Sequence, residues 1–228
     1  MESILFMIDM DNTLLDNDGV RDDMAAALVD ALGPAPAARL WELYEAVRAE
    51  TGVVDFIETT RRLRDEHRDD EPAMDAATAL LMRWDFRPRM FPRAIETVEY
   101  LNTIGLPVII SDGDPVFQPG KIQRCGASEA VEGRVFVFAH KEDHLAALLT
   151  YFNPRHTVLI DDKPAILMRS KAALGGRLTT VHVLQGKYAL DPQHAVDYRP
   201  DIVVKNVSDL LRYGQGDFLL PAQRATSA

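Results

Sequence analysis

The sequence has few of the residues that a disulfide-linked or membrane-spanning structure requires. It contains one cysteine, Cys125, among 228 residues, which excludes an intrachain disulfide and a thiolate metal cluster. Its longest apolar runs are only a few residues long, whereas a membrane-spanning helix needs roughly 20. The basic start and small-residue cleavage site of a signal peptide are also lacking. We therefore expect a cytoplasmic protein with no membrane partner.

Positive charge is scarce as well. The chain has 25 Lys and Arg residues against 35 Asp and Glu residues, a formal net charge of −10. Such a balance disfavours nonspecific attraction to nucleic-acid phosphates or anionic lipid, so we expect no nucleic-acid partner. The content of 47% hydrophobic and 26% charged residues is typical of a globular domain with a buried core.

Six short apolar runs alternate with stretches of helical spacing. Runs that are apolar at consecutive positions predict strands buried on both faces, and the alternation predicts a parallel sheet with helices on each side. The fold class is therefore α/β, with a three-layer Rossmann-like core. The predicted strands are Ile4 to Ile8, Leu106 to Ile110, Arg134 to Phe138, Thr157 to Ile160, Thr180 to Leu184 and Asp201 to Val204.

One part of the chain departs from this alternation. Residues 16–88 contain no convincing strand and show four successive helical patterns separated by Gly- and Pro-containing breaks. We interpret them as an inserted all-helical subdomain. Residues 1–15 and 89–220 would form the core, and residues 221–228 a flexible tail.

Acidic residues follow the first predicted strand directly. Asp9 and Asp11 are two positions apart, so in a nearly extended chain both side chains lie on the same side. Two like charges forced together favour a hard divalent cation with oxygen ligands. The alternative is that these acids only solvate a strand end or cap a helix.

Two further strand ends carry polar groups. Ser111 and Asp112 end one predicted strand, and Asp161 and Asp162 end another. In a parallel sheet these ends share one edge, which is where open α/β sheets bind ligands. Coincidence is a poor explanation for three such ends.

A phosphorylated ligand at this acidic edge would require a cation. Lys141 follows the Arg134 to Phe138 run at the same edge and is the preferred candidate, and Lys121 is the alternative. A solvated lysine near a helix start is the simpler interpretation, although cations are mildly disfavoured there.

The ordered set of motifs resembles the haloacid dehalogenase superfamily of hydrolases over nearly the whole chain. The four motifs correspond to Asp9 to Leu14, Ser111, Lys141 and the Asp161-Asp162 pair. The resemblance implies that residues 16–88 are a mobile cap over the active site. It also implies the phosphatase-like branch, because the dehalogenase branch lacks an aspartate at the position of Asp11.

The resemblance assigns a role to each residue. Asp9 would be the nucleophile that becomes an aspartyl-phosphate, and Asp11 the general acid and then base. Mg²⁺ would be held by the Asp9 carboxylate, the Asp11 backbone carbonyl and Asp162, with Asp161 orienting Lys141 or a metal-bound water. The transferring phosphoryl oxygens would be bound by Ser111 and Lys141, and the substrate-binding set would also include Thr13 and Asp112.

Two positions depart from the family pattern. Asp112 stands where family phosphatases often have Asn, and its charge should weaken anion binding unless it points away, pairs with Lys121 or helps to hold metal. Ile166 occupies the position of a further acid that many members carry.

The predicted function is Mg²⁺-dependent hydrolysis of a phosphate monoester of a small metabolite. A phosphomutase of the same family and a noncatalytic regulator with this fold are the alternatives, and the oligomeric state stays open. Within the insertion, the basic cluster from Arg61 to Arg68 is interpreted as a solvated helix face, and Trp41, Tyr44 and Trp84 as packing residues rather than a stacking platform. His140 and His144 flank Lys141 and are not expected to do chemistry.

Overall fold

The computed structural model describes residues 4–52 and 54–219. Its centre is a six-stranded, all-parallel sheet in the order β3-β2-β1-β4-β5-β6. Each predicted apolar run forms a strand, with ends that differ from the prediction by up to two residues. The strands are β1 (Ile4–Ile8), β2 (Leu106–Asp112), β3 (Val135–Phe138), β4 (His156–Asp161), β5 (Leu178–Val183) and β6 (Ile202–Val204).

The two faces of the sheet are separate hydrophobic layers. All five residues of β1 are buried; Ile4, Phe6 and Ile8 belong to one apolar cluster, and Leu5 and Met7 to the other. Because successive side chains of a strand point to opposite faces, a strand covered on both sides must be apolar throughout. This requirement explains the consecutive apolar residues in the sequence and confirms the α/β fold class.

Helices cover both layers. Helices α5 and α6 contribute to the cluster around Phe6, and α8 and α9 to the cluster around Met7. The helices outside the insertion are α5 (Ala94–Ile104), α6 (Phe117–Arg124), α7 (Ala127–Ala130), α8 (Leu145–Phe152), α9 (Pro164–Leu174) and α10 (Gly186–Leu190).

Four α-helices lie within the described part of residues 16–88, where the sequence predicts helices alone. They are α1 (Asn17–Leu32), α2 (Pro34–Thr51), α3 (Phe56–Glu66) and α4 (Glu71–Met82). Aspartates at positions 16, 55 and 70 cap α1, α3 and α4 by accepting a hydrogen bond from a backbone amide, which satisfies a donor that the first helical turn leaves unpaired.

The chain enters and leaves this insertion through adjacent segments. The amide of Asp16 donates to the Arg89 carbonyl at 2.8 Å, and the amide of Phe91 donates to the Leu14 carbonyl at 2.9 Å. The insertion also packs on the core, since Phe56 of α3 contacts Phe117 of α6 with ring centres 4.7 Å apart. The division of the chain at residues 15/16 and 88/89 stays a prediction.

Among the residues that the structure describes, none of the helices is long and apolar enough to span a membrane. The predicted tail, residues 221–228, lies outside the described residues.

Candidate active site

The carboxyl ends of two strands and the turn after a third bring charged side chains together. Asp9 follows β1, Asp161 ends β4 with Asp162 next to it, and Lys141 begins the turn after β3. All four side chains are buried, at 0–1% exposure. Parallel strands place these ends at one edge, so residues up to 153 positions apart in the chain, from Asp9 to Asp162, meet in one cluster.

The Lys141 ammonium lies between two carboxylates. Its Nζ forms an ion pair with Asp9 Oδ1 and another, 2.7 Å long, with Asp161 Oδ2. Burial disfavours the charged ammonium, but the attraction of Asp161 and Asp9 outweighs burial and raises the pKa of Lys141. The lysine is therefore a fixed positive charge at this edge.

Each of the two carboxylate oxygens of Asp9 has a partner. Oδ1 contacts Lys141, and Oδ2 accepts a hydrogen bond of 3.3 Å from the Thr13 hydroxyl. Burial raises the pKa of Asp9 from 3.8 to about 7, although Lys141 acts in the opposite direction. Both contacts fix the orientation of the side chain that the sequence predicts as the nucleophile.

Asp162 is the member of the cluster whose carboxylate is not paired with a cation or a hydrogen-bond donor among the described residues. Within the described residues neither of its carboxylate oxygens has a hydrogen-bond partner, and both are buried. Burial, together with the charges of Asp161 and Asp9, raises its pKa from 3.8 to about 9. A buried carboxylate without a partner is costly unless a cation neutralises it.

The cluster fits a divalent cation. Asp9, Asp161 and Asp162 each offer a carboxylate oxygen, and these oxygens lie within 4.8 Å of one another. Hard cations such as Mg²⁺ prefer such oxygen ligands, and the unpartnered oxygens of Asp162 are the ones left available by the protein. Ile166, at the position of a further family acid, is instead buried in the apolar cluster around Met7 and offers no ligand.

The Asp11 carboxylate lies apart from this cluster. Its Oδ1 pairs with Lys121 Nζ at 2.5 Å, and its Oδ2 accepts a hydrogen bond of 3.1 Å from Gln118 Nε2. Lys121 also donates to Asn17 Oδ1 at 2.7 Å. The side chain of Asp11 therefore does not join the three carboxylates, and a metal contact through its backbone carbonyl stays a prediction.

Gln118 connects Asp11 to the second predicted motif. The same Nε2 that donates to Asp11 donates to Ser111 Oγ at 2.9 Å, and Ser111 is 1% exposed. From the sequence, Lys121 is predicted only as an alternative to Lys141, and Gln118 is not predicted as a site residue. Gln118 and Lys121 are three positions apart, which puts both on one face of α6. This spacing was the pattern from which the pair could have been predicted.

Asp112 does not pair with Lys121, one of the alternatives considered for it. Its Oδ1 accepts a hydrogen bond of 2.7 Å from the backbone amide of Lys141, and its Oδ2 lies 4.0 Å from Lys163 Nζ. The carboxylate that departs from the family pattern thus positions the segment that carries Lys141, in addition to lining the cavity described next.

A cavity of about 200 Å³ lies between the insertion and this edge of the sheet, lined by residues of α1, α2 and α6 and by Asp11, Asp112 and Lys163. Trp41 and Tyr44 line it while also packing against each other, with ring centres 5.2 Å apart. Both rings also pack against the larger apolar cluster, which agrees with their interpretation as packing residues. Trp84 packs against the core.

Two further interpretations, of the basic cluster in α3 and of His144, agree with the structure. The arginines of α3 form surface ion pairs, for example Arg61 with Glu58 at 2.7 Å and Arg62 with Glu50 at 2.7 Å. The ring of His144 stacks on Phe138, with centres 4.3 Å apart, which is a packing role.

A parallel sheet with a carboxylate directly after its first strand, a lysine after its third and an aspartate pair after its fourth defines a hydrolase of the haloacid dehalogenase type. The chain belongs to this family: the model of haloacid dehalogenase-like hydrolases matches residues 5–168. The family generally uses a divalent metal.

Solved structures agree with this assignment. A protein from Burkholderia xenovorans LB400 described as a haloacid dehalogenase-like hydrolase is 38% identical, with coverage of 96% of this chain and 100% of that chain and a TM-score of 0.85. L-2-haloacid dehalogenase from Xanthobacter autotrophicus is 17% identical, with coverage of 93% and 98% and a TM-score of 0.59. The HAD-hydrolase YfnB from Bacillus subtilis, bound to magnesium, is 14% identical, with coverage of 93% and 100% and a TM-score of 0.61.

The last two likenesses show the fold alone. No curated protein matches the chain at a significant level.

Proposed function

We propose that the protein is a Mg²⁺-dependent phosphohydrolase that cleaves a phosphate monoester of a small metabolite through an aspartyl-phosphate. The observation that carries the proposal is the presence of two carboxylates with different surroundings at one edge of the sheet. Asp9 is buried against Lys141, whereas Asp11 lines the cavity beside Lys121 and Gln118. A nucleophile and a separate proton donor are what phosphoryl transfer through a covalent intermediate requires.

In the first step a carboxylate oxygen of Asp9 attacks phosphorus, and the bond from phosphorus to the leaving oxygen breaks. Asp11 gives its proton to that oxygen, so the leaving group departs as an alcohol. The Lys141 ammonium, fixed by Asp9 and Asp161, compensates the charge of the phosphoryl oxygens.

In the second step water attacks the aspartyl-phosphate while Asp11 accepts a proton from it. The bond between phosphorus and the Asp9 oxygen breaks, inorganic phosphate is released, and the cycle ends with Asp9 as a carboxylate and Asp11 again as the protonated acid. Asp9 and Asp162 would hold Mg²⁺, which supplies further charge neutralisation for the phosphoryl group. Asp161 would contribute mainly by orienting Lys141.

Dehalogenation is the competing reaction within the family, since L-2-haloacid dehalogenases share the fold. A halide leaves as an anion and needs no proton, so an oriented acid next to the nucleophile has no use in that reaction. The presence of Asp11 two positions after the nucleophile therefore favours phosphoryl transfer. A phosphomutase would use the same residues, and a noncatalytic binder would need neither a nucleophile nor an acid.

The test is a panel of phosphate monoesters assayed with Mg²⁺ for inorganic phosphate, in parallel with 2-haloacids assayed for halide. We expect phosphate release without a bisphosphate activator, none from Asp9→Asn, and a fall in kcat of roughly a hundredfold or more for Asp11→Asn. Asp143→Asn, an exposed acid next to the same site, is the matched control and should retain activity.

Phosphate release from Asp9→Asn at the wild-type rate would refute the nucleophile. Halide release without phosphate release would identify a dehalogenase, and phosphate transfer that depends on a bisphosphate would identify a mutase.

A further inference from the structure

The cavity has a cationic lining although the protein is acidic. Among the described residues, five cationic side chains line it against four carboxylates, whereas the whole chain has a net charge of −10. The four carboxylates are engaged by groups of the protein: Asp11 by Lys121, Asp18 by the Lys187 amide, Asp112 by the Lys141 amide and Asp114 by the first amides of α6. The cations are Arg21, Arg48, Lys121, Lys163 and Lys187.

Two of these cations share one acid. Arg21 Nη2 lies 2.8 Å from one oxygen of Glu45, and Arg48 Nη1 lies 3.8 Å from the other. Glu45 is outside the cavity lining, whereas both arginines are part of it. One carboxylate cannot neutralise two guanidinium groups, so this wall of the cavity keeps an excess positive charge.

Aromatic rings surround the same wall. The Arg21 guanidinium lies 5.1 Å from the centre of the Trp41 ring and 5.3 Å from that of Tyr44, distances at which a cation is attracted by the ring face. These contacts fix Arg21 next to two aromatic side chains that also line the cavity.

Arg48 lines two cavities that share part of their walls. It lines the second cavity together with Asp112, Lys163 and Tyr188, residues that line the first one as well. Arg48 therefore lies where the wall of α2 meets the loops that follow the strands.

We propose that the substrate carries a second oxyanion on its leaving group, bound by Arg48 beside Arg21, with the body of the leaving group against Trp41 and Tyr44. This inference rests on the proposed phosphohydrolase function and specifies its substrate class. A carboxylate and a second phosphate both supply the required chemistry, because a guanidinium binds either one through paired hydrogen bonds.

The arginines of α3 provide a matched comparison. Arg61 forms ion pairs with Glu58 at 2.7 Å and with Asp65 at 2.8 Å on an exposed surface, and it does not line the cavity. If the substrate only responded to the positive charge of the helices, Arg61 would matter as much as Arg48.

The experiment compares phenyl phosphate with 4-carboxyphenyl phosphate and 4-phosphonophenyl phosphate in the full-length, Mg²⁺-loaded protein. For the wild type we expect kcat/KM to be roughly ten- to hundredfold higher for an ester that carries the second anion, since a hydrogen bond to a charged group has about that effect. Arg48→Gln should bring the ratio close to one, chiefly through KM. Arg48→Lys should restore part of it, and Arg61→Gln should keep the wild-type ratio.

Binding of the unreactive benzylphosphonate and 4-carboxybenzylphosphonate, measured by calorimetry, separates the two proposals. If no ester is hydrolysed but the carboxylated phosphonate binds more tightly in an Arg48-dependent manner, the phosphohydrolase function fails and the second-anion site stands. Equal kcat/KM values for all three esters, or a preference that persists in Arg48→Gln, would overturn the inference. The two anion-bearing esters show which anion the site selects.

Discussion

Asp162→Asn should stabilise the protein in the absence of metal. The shift of the Asp162 pKa from 3.8 to about 9 means that at pH 7 the folded state holds a proton that the unfolded state releases. One pKa unit corresponds to ~1.4 kcal/mol, and the interval from 3.8 to pH 7 is about three units, so the cost of this carboxyl is on the order of 4 kcal/mol. Asparagine has no such proton, and we expect the variant to recover a large part of that amount.

The sign of the pH dependence follows from the same shift. Because the folded state binds more protons here than the unfolded state, this group destabilises the metal-free protein increasingly as the pH rises from about 4 to about 9. The difference in free energy of unfolding between Asp162→Asn and the wild type should therefore be small near pH 4 and large at pH 7 and above. Urea denaturation in the presence of a chelator measures it.

Asp161→Asn is the matched control. It also removes a buried charge, but it breaks the 2.7 Å ion pair with Lys141, so its gain in stability should be smaller. Millimolar Mg²⁺ should stabilise the wild type by binding the folded state and should not stabilise Asp162→Asn. Destabilisation by Asp162→Asn without metal, or equal stabilisation of both proteins by Mg²⁺, would refute the reasoning.

Two further substitutions test the surroundings of the acid. Lys121→Met should lower kcat roughly tenfold or more, because it removes the 2.5 Å contact that orients Asp11; an unchanged rate of phosphate release would show that the orientation does not matter. Gly186→Ala should destabilise by more than about 2 kcal/mol in urea denaturation, since the new Cβ would lie 2.4 Å from Asn12 Cβ at a φ of +70°. Gly133→Ala, at a φ of +78° in open space, should cost only about 1 kcal/mol.

The layout of the sheet was predictable because its signals are local. A strand covered on both faces needs apolar residues at consecutive positions, as in Ile4–Ile8, and such a run is visible in the sequence. The acids and Ser111 next to the ends of these runs were predictable for the same reason, since the edge they share follows from parallel strands alone.

The partners of these groups depend on contacts that no local pattern encodes. Gln118 reaches Asp11 across 107 positions of the chain, and Asp112 accepts from the Lys141 amide across 29 positions. Which lysine pairs with which acid depends on side-chain directions after folding, so the pairing of Lys121 with Asp11 did not follow from the sequence.

The sequence by itself therefore determined the α/β fold, the helical insertion and the set of charged residues at one edge of the sheet, because hydrophobic periodicity and strand ends are properties of short segments. The tertiary structure alone decided that Lys141 is bound between Asp9 and Asp161, that Asp162 has no partner within the described residues, and that Arg48 faces the same cavity as Asp11. Burial, hydrogen bonding and charge compensation depend on distances between segments that only the packed chain fixes.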